Sequence, residues 1–514
     1  MLNNILLTGV KNSIYELLTK NNHIGFDFPC AGKKNCKKCR VKITGGFENI
    51  SPLNDDEREH LSEEDIQNNI RLACMCEVIG DIQVASPEYY NNMSIQTTGL
   101  KSRDMSADIH ETGYGASADI GTTTVALYLY SHETGELIDY AGTENPQRIH
   151  GADVISRINY TIENTDGLKN LQKLILDCLS GLIDNICGKN NIAREDIRSL
   201  VFAGNTVMQC LAAGIDPRSI AFAPFTPPDL FDYEIPAVNL LSGLGEESKI
   251  YFTPAFASYV GGDISAGIIA ADIDLSDKIR LFLDVGTNGE MGLGNSERLI
   301  FCATAAGPAF EGAHIECGVP GIPGAVNKVG IDNGFIVCDT IGGAEPVGIC
   351  GSGIIDACAV MLDLGVIDEM GLIIGSDAPG VPRDDGDDFI ICENIYISQK
   401  DIREIQLAKS AIAAGIATLL HYSGKTVDDI DEVILAGGFG AHINKKSACR
   451  IGLIPPELEA KIIIAGNAAG MGASAALLSG RARVRIKKLR DISSYIELSG
   501  DAYFMDEYIE RMIF

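Results

Sequence analysis

Basic residues are scarce in this chain. Lys and Arg number 41 against 70 Asp and Glu, a formal net charge of -29 at pH 7, so a phosphate backbone or an anionic membrane surface repels the molecule as a whole. Nucleic acid is therefore not expected as a partner. Long hydrophobic runs are missing too. No stretch of 18 uninterrupted apolar residues occurs, and the opening MLNNILLTGVKNS lacks the basic-then-apolar order of a secretory leader. A cytoplasmic protein with no membrane association is expected. Histidine occurs eight times, dispersed, with no H-E-x-x-H or other close grouping with carboxylates, which leaves hydrolytic zinc chemistry without support. Low-complexity tracts are absent, and 46% hydrophobic residues with 55 glycines in 514 describe a folded chain of about two to four domains with many tight turns.

Cysteine, by contrast, is abundant and uneven. Of fifteen, five fall between Cys30 and Cys76, and the other ten, from Cys178 onward, lie scattered among apolar neighbours, where cysteine serves as a small core residue. Cys30, Cys36 and Cys39 form a C-x5-C-x2-C run in CAGKKNCKKC, and Cys74 follows after 34 intervening residues in RLACMC. Three close thiolates and one distant one are the ligand pattern of a plant-type [2Fe–2S] site, with one extra residue in the loop. Tetrahedral zinc, the alternative, usually takes two paired knuckles, and only one short pair is present. In a strand Cys74 and Cys76 point to the same face, so alternation leaves the fourth ligand open between them.

Around these cysteines the pattern predicts a strand near Ile5–Thr8, a helix over Ser13–Lys20, a strand over Arg40–Thr44 and an acidic helical stretch over Asp55–Asn68. Two strands follow, broken at Gly80-Asp81. This order resembles the β-grasp ferredoxin fold. Six of the ten positions from Lys33 to Lys42 are basic, which reads either as a solvated loop face or as a docking patch for an acidic redox partner.

Nucleotide chemistry has to come from elsewhere than the commonest loops. Neither G-x4-G-K-[ST] nor a G-x-G-x-x-G opening a helix occurs in the required context. Instead ASADIGTTTVALYLY places Asp119 at the end of an apolar β-run, with Gly121, Thr122, Thr123 and Thr124 in the turn before the next. Backbone N–H groups and hydroxyls of such a turn can hold phosphate oxygens while the adjacent carboxylate holds Mg²⁺ through water. The arrangement recurs 165 residues later, in LFLDVGTNGEMGL, as Asp284, Gly286, Thr287 and Asn288, which implies a duplicated fold. EVILAGGFGAHI then supplies a strand running into Gly437 and Gly438, a glycine pair that lets backbone approach an adenosine group. Gly261-Gly262-Asp263 and AAGPAFEG, with Glu311, are candidates to line the cleft between lobes.

Two D-x-G-T hairpins followed by a late strand and glycine pair resemble the ATPase superfamily of actin, sugar kinases and heat-shock chaperones. With the cysteine module in front, the chain resembles the reductive activators of corrinoid proteins over nearly its whole length, on stretches including RLAC, SADIGTTTVALYL, LDVGTNGEM, CGSGIIDA and LAGGFGAHI. The resemblance implies an α/β chain with an α+β N-terminal module: a β-grasp ferredoxin-like domain, then a duplicated, two-lobed actin-like (ribonuclease H-like) ATPase. It implies Cys74 as the fourth ligand beside Cys30, Cys36 and Cys39, a [2Fe–2S] cluster, ATP and Mg²⁺ as cofactors, and Asp119 and Asp284 as catalytic carboxylates. It further implies an electron passing from a low-potential donor through the cluster to the Co(II) corrinoid protein of a methyltransferase system, which restores Co(I), with ATP hydrolysis driving the step. A homodimer is compatible with it, although the connection between modules is shorter than is usual in the family.

The expected division is 1–90 for the ferredoxin-like domain, 91–114 for a linker, 115–277 and 278–482 for the two ATPase lobes, and 483–514 for an extension packed on them. Competing readings are an ATP-coupled activator of another low-potential enzyme, which would not need the separate cysteine module, and a nucleotide-gated redox sensor, in which turnover would not matter. A plain sugar kinase gives the cysteines no purpose.

Overall fold

The computed structural model describes all residues except 1–4, 10, 22, 24, 25, 27, 29, 31, 35–37, 87–96, 107, 109–111, 287, 376–387 and 441. The predicted ligand Cys36 and the hairpin residue Thr287 therefore lie outside the described residues. Among those described, no helix is long and apolar enough to cross a membrane.

The first module is a four-stranded sheet of β1 (Ile5–Thr8), β2 (Arg40–Gly45), β3 (Ile70–Leu72) and β4 (Asp81–Ala85), in the order β1-β4-β2-β3 and antiparallel throughout. Helix α1 (Ile14–Lys20) follows β1 and is started by a capping box, in which Ser13 and Glu16 satisfy each other's backbone N–H. It buries Ile14 and Leu18 against Leu7, Val41, Leu72 and Val84. The acidic stretch is two short helices, Asp55–His60 and Glu63–Gln67, not one. Leu61 breaks it by turning into the core in an extended conformation, and Ser62 accepts from the Asp65 N–H to start the second.

The remainder repeats one topology twice. In the first lobe β5 (Tyr114–Ile120), β6 (Thr124–Ser131) and β7 (Leu137–Glu144) form an antiparallel meander, and β8 (Ile197–Gly204) and β9 (Lys249–Phe252) extend it in parallel, giving the order β9-β8-β5-β6-β7. In this lobe α2 (Thr206–Ala213) follows β8 and α3 (Gly262–Ala270) follows β9. The second lobe copies it with the meander β10 (Arg280–Val285), β11 (Gly289–Gly294) and β12 (Leu299–Thr304). There α4 (Gly351–Asp363) and α5 (Gln399–Ser423) precede β13 (Glu432–Ala436) and β14 (Ile462–Gly466), and the order is β14-β13-β10-β11-β12. Helix α6 (Ala468–Leu478) then occupies the place that α3 holds in the first lobe. Parallel central strands covered on both faces need near-continuous apolar sequence, and β8 (IRSLVFAG) and β13 (EVILA) supply it.

The equivalent helices α3 and α6 cross between the lobes at short range. A Cβ on Gly472 would stand 1.8 Å from the Ala266 carbonyl oxygen, so only glycine permits the crossing. Residues 98–106 and Asp108, in a stretch whose composition reads as a loose connection, are tied down: Gly99 bridges to Gly466, Ser102 donates to Asp272, and Asp104 and Asp108 accept from Arg485 and Ser479. Helix α7 (Gly480–Ile492) leads into a short strand, Ser493–Tyr495, beside β12, and a last helix, Ala502–Glu510, follows.

Candidate functional site

The cysteine site is built by the register of β2 and β3. Arg40 pairs with Leu72, and the Ala73 N–H donates to the Cys39 carbonyl at 2.8 Å, so Cys39 and Cys74 meet just beyond the ends of the two strands. Their sulfurs are 3.1 Å apart, and the Cys74 N–H points at the Cys39 sulfur at 3.4 Å. The Cys39 contact holds the Cys74 thiol below its ordinary range against the opposing effect of burial. Cys30 is close enough to act on the charge of Cys74 and of Tyr15.

Residues beyond β3 form a turn rather than a strand, with the Met75 and Cys76 N–H groups both donating to the Leu72 carbonyl. The shared-face argument for Cys74 and Cys76 therefore fails, and the two separate. Cys76 lies on the side of the buried Glu57–Arg71 pair, and burial pushes its thiol up to about 11. That pair is bidentate, at 2.9 and 2.7 Å, while Glu57 also accepts from the Leu72 N–H. It fixes the return of the chain toward Cys74, and sequence reasoning passed over both residues. Two buried sulfurs in contact without a disulfide bond, one of them receiving a backbone N–H, beside an acid-free basic loop, fit an anionic thiolate-ligated iron–sulfur cluster.

The two D-x-G hairpins face each other across the lobes. In the first, the Gly121 N–H closes the turn on the Thr124 carbonyl at 2.9 Å, and Asn145 Nδ2 donates to the Gly121 carbonyl at 2.8 Å. Asn205, which caps α2, donates to the Thr122 hydroxyl at 2.9 Å, and buried Arg157 donates to the Thr122 carbonyl at 2.5 Å. In the second, the Gly286 N–H closes on the Asn288 carbonyl at 2.9 Å. Gly437 has φ +88°, and a Cβ there would lie 2.5 Å from Asp284 Oδ1, whereas Gly438 faces open space. The strand before them runs into a short helix, Gly437–Gly440.

Four carboxylates converge here. Burial first, then Asp284, pushes Asp119 up to about 7, against a hydrogen bond from the Asn467 side chain that lowers it. Burial alone raises Asp284 to about 6. Asp263, at the start of α3, is raised to about 8 by burial and then by Asp284, and Glu290 is raised well above its ordinary value by burial and then by Asp263. Burial and repulsion both disfavour charge on these groups, and among the described residues no three of them are grouped closely enough to hold a metal ion. Glu290 was missed from the sequence, yet the signal was there: in the hairpin it is the cross-strand partner of Asp284, which puts both side chains on one face. Glu311, from AAGPAFEG, accepts from the Thr123 hydroxyl at 3.4 Å and so joins the second lobe to the first hairpin.

Comparison with known proteins matches three family models along the chain: a 2Fe-2S iron-sulfur cluster binding domain over 9–78, the RACo middle region over 114–276, and the C-terminal ASKHA domain of RACo over 278–514. The chain is 34% identical over 418 residues to the corrinoid activation enzyme RamQ of Eubacterium limosum, covering 78% of this chain and 70% of that one. It is 26% identical to the [Co(II) methylated amine-specific corrinoid protein] reductase of Methanosarcina barkeri, covering 69% and 68%. A solved reductive activator for corrinoid, iron-sulfur protein superimposes with TM-score 0.70 at 30% identity, over 99% of this chain and 96% of that one.

Proposed function

This chain belongs to the family of reductive corrinoid activators, and from that premise we propose how its own residues divide the work. It is an ATP-dependent enzyme that delivers an electron to a Co(II) corrinoid protein. When bound, a [2Fe–2S] cluster supplies one-electron transfer at potentials low enough to be useful here. Cys30, Cys36, Cys39 and Cys74 would hold it, and the basic residues of that loop other than Lys38 would offset its negative charge.

The hairpins Gly121–Thr124 and Gly286–Asn288, the latter including Thr287, wrap the phosphates of ATP with backbone N–H groups and hydroxyls. Asp119 and Asp284 would hold Mg²⁺, which would offset the charge of the phosphates, and would orient the attacking water, while Gly437 and Gly438 would face adenosine. Reduction to Co(I) is uphill for an ordinary donor, so ATP shifts an equilibrium toward the complex in which cobalt accepts the electron. The donor is a low-potential one-electron carrier, the acceptor serves a methyltransferase system, and the reducing cytoplasm suits the thiols.

The observation that carries this reading is the presence, on one chain, of the paired Cys39 and Cys74 sulfurs and the facing Asp119 and Asp284 hairpins. Its test is an anaerobic assay with a low-potential reductant and a Co(II) corrinoid protein. The Co(I) absorption band should grow with ATP and not with a non-hydrolysable analogue, and ATP hydrolysis should accelerate when the corrinoid protein is added. Equal Co(I) formation without nucleotide would overturn it.

A further inference from the structure

The ferredoxin-like module rests on both lobes at once. Against the first lobe its own apolar core continues into Ile149 and Leu174, both buried there. Against the second, the Lys38 ammonium donates to three backbone carbonyls, of Gly312 at 2.7 Å, Ile315 at 2.8 Å and Gly318 at 3.2 Å. An ammonium has three N–H bonds, and this turn offers an acceptor for each. Neither reading of the basic loop from sequence, a solvated face or a patch for an outside partner, applies to Lys38.

The turn that grips Lys38 is stiff. Gly312 has φ +80° and no room for a Cβ, which would lie 2.6 Å from the Val319 carbonyl oxygen, and a Cβ on Gly318 would lie 2.0 Å from the Gly312 oxygen. Ile315 is fully buried, the Glu316 N–H donates to Asp401 near the start of α5 at 2.9 Å, and the Cys317 carbonyl accepts from Ile349 at 2.8 Å. The turn therefore moves with the second lobe. Its flanking residues are the informative ones. Glu311, immediately before Gly312, accepts from Thr123 of the first hairpin and lies beside Gly286 of the second, and Cys39 immediately follows Lys38.

We propose that Lys38 is the positioning residue through which the nucleotide hairpins control the cluster-bearing loop. The inference rests on the nucleotide reading given above. A polyphosphate entering between Thr123 and Gly286 takes the Thr123 hydroxyl and repels the Glu311 carboxylate by like charge. Because the turn is stiff, displacement of Glu311 carries the three carbonyls with it and Lys38 loses its cup. The module then keeps its apolar seat on the first lobe and lets go of the second, which frees the loop around Cys39 to approach a partner. Two discrete arrangements of one element, biased by a ligand, are what coupling between distant sites requires.

Hydrogen exchange of the cluster-loaded protein, with and without Mg²⁺ and a non-hydrolysable ATP analogue, tests this. Segment 38–40 should exchange at least about fivefold faster with the analogue, the lower end of ordinary coupling, while the stiff turn 312–318 keeps its protection and the hairpin 119–124 becomes protected. Lys38→Met should exchange fast in both states, keep the cluster's visible spectrum and basal ATP hydrolysis, and lose the ATP dependence of Co(II) reduction. Protection of 119–124 without any change at 38–40 in the unmodified protein would overturn the latch alone, however the variant folds. Absence of protection at 119–124 would overturn the nucleotide reading, and the latch with it.

Discussion

Cys39 and Cys74 hold their sulfurs 3.1 Å apart across 35 positions of sequence, while Cys76, two residues further on, faces the Glu57–Arg71 pair instead. The proposed cluster would therefore draw on the first two, with the third a core thiol. Cys74→Ser should abolish the visible absorption of the bound cluster, and Cys76→Ala should retain it. Spectra of the two variants purified without oxygen check this. A normal spectrum in the first with loss in the second would exchange their roles.

The packing of α3 against α6 depends on a missing methyl group. Gly472→Ala places a Cβ 1.8 Å from the Ala266 carbonyl oxygen, a contact with backbone that no rotamer change relieves. Overpacking of this kind costs about 1–3 kcal/mol. Thermal melting should fall, and ATP hydrolysis with it, because Asp263 begins one helix and Asn467, which bonds Asp119, caps the other. Gly500→Ala, where a Cβ meets open space, is the matched control and should change neither.

How far the sequence could be read follows from how local each signal is. The hairpins at Asp119 and Asp284 were legible because glycine, threonine and flanking apolar strands all lie within a dozen residues. The order of motifs made the duplication legible too, and the two sheets repeat it over five strands, each adding a sixth at the opposite edge. Asp263 was noticed only as a candidate, since it sits on a helix and its neighbours in space, Asp119, Asp284 and Glu290, come from three strands. The stretch 98–108 looked slack because what holds it is remote: Asp104 meets Arg485 and Asp108 meets Ser479, each more than 370 positions away. Lys38 looked solvated or open to an outside partner for the same reason, its acceptors being backbone atoms that carry no sequence signature.

Acid should loosen the seat of the ferredoxin-like module. His150 adjoins Ile149, stacks on Tyr160 at 4.0 Å, and is lowered to about 4, first by burial and then by Arg157. A histidine whose folded pKa is depressed favours the folded state above its unfolded value of about 6.5 and loses that contribution as pH falls through the folded value, in total roughly 3 kcal/mol. Melting temperature should therefore drop more steeply between pH 6.5 and pH 4.5 in the unmodified protein than in His150→Phe, which keeps the ring stack without the charge. Parallel slopes would refute it.

Two unlike substitutions should converge on Asp284. Asp284→Asn removes the charge that the proposed Mg²⁺ and attacking water require, and loss of one such electrostatic group lowers turnover by about 100- to 1000-fold. Gly437→Ala leaves the carboxylate in place but drives a Cβ to 2.5 Å from its Oδ1, at a φ of +88° that side chains rarely adopt. The carboxylate must then rotate away from Asp119 and Asp263, and turnover should fall comparably with no change in charge. Steady-state ATP hydrolysis measures both, and the cluster's spectrum should stay normal in each, since Cys39 and Cys74 lie in a separate module. Full activity in Asp284→Asn would remove the carboxylate from the mechanism. Full activity in Gly437→Ala alone would show that its position, unlike its charge, is not critical.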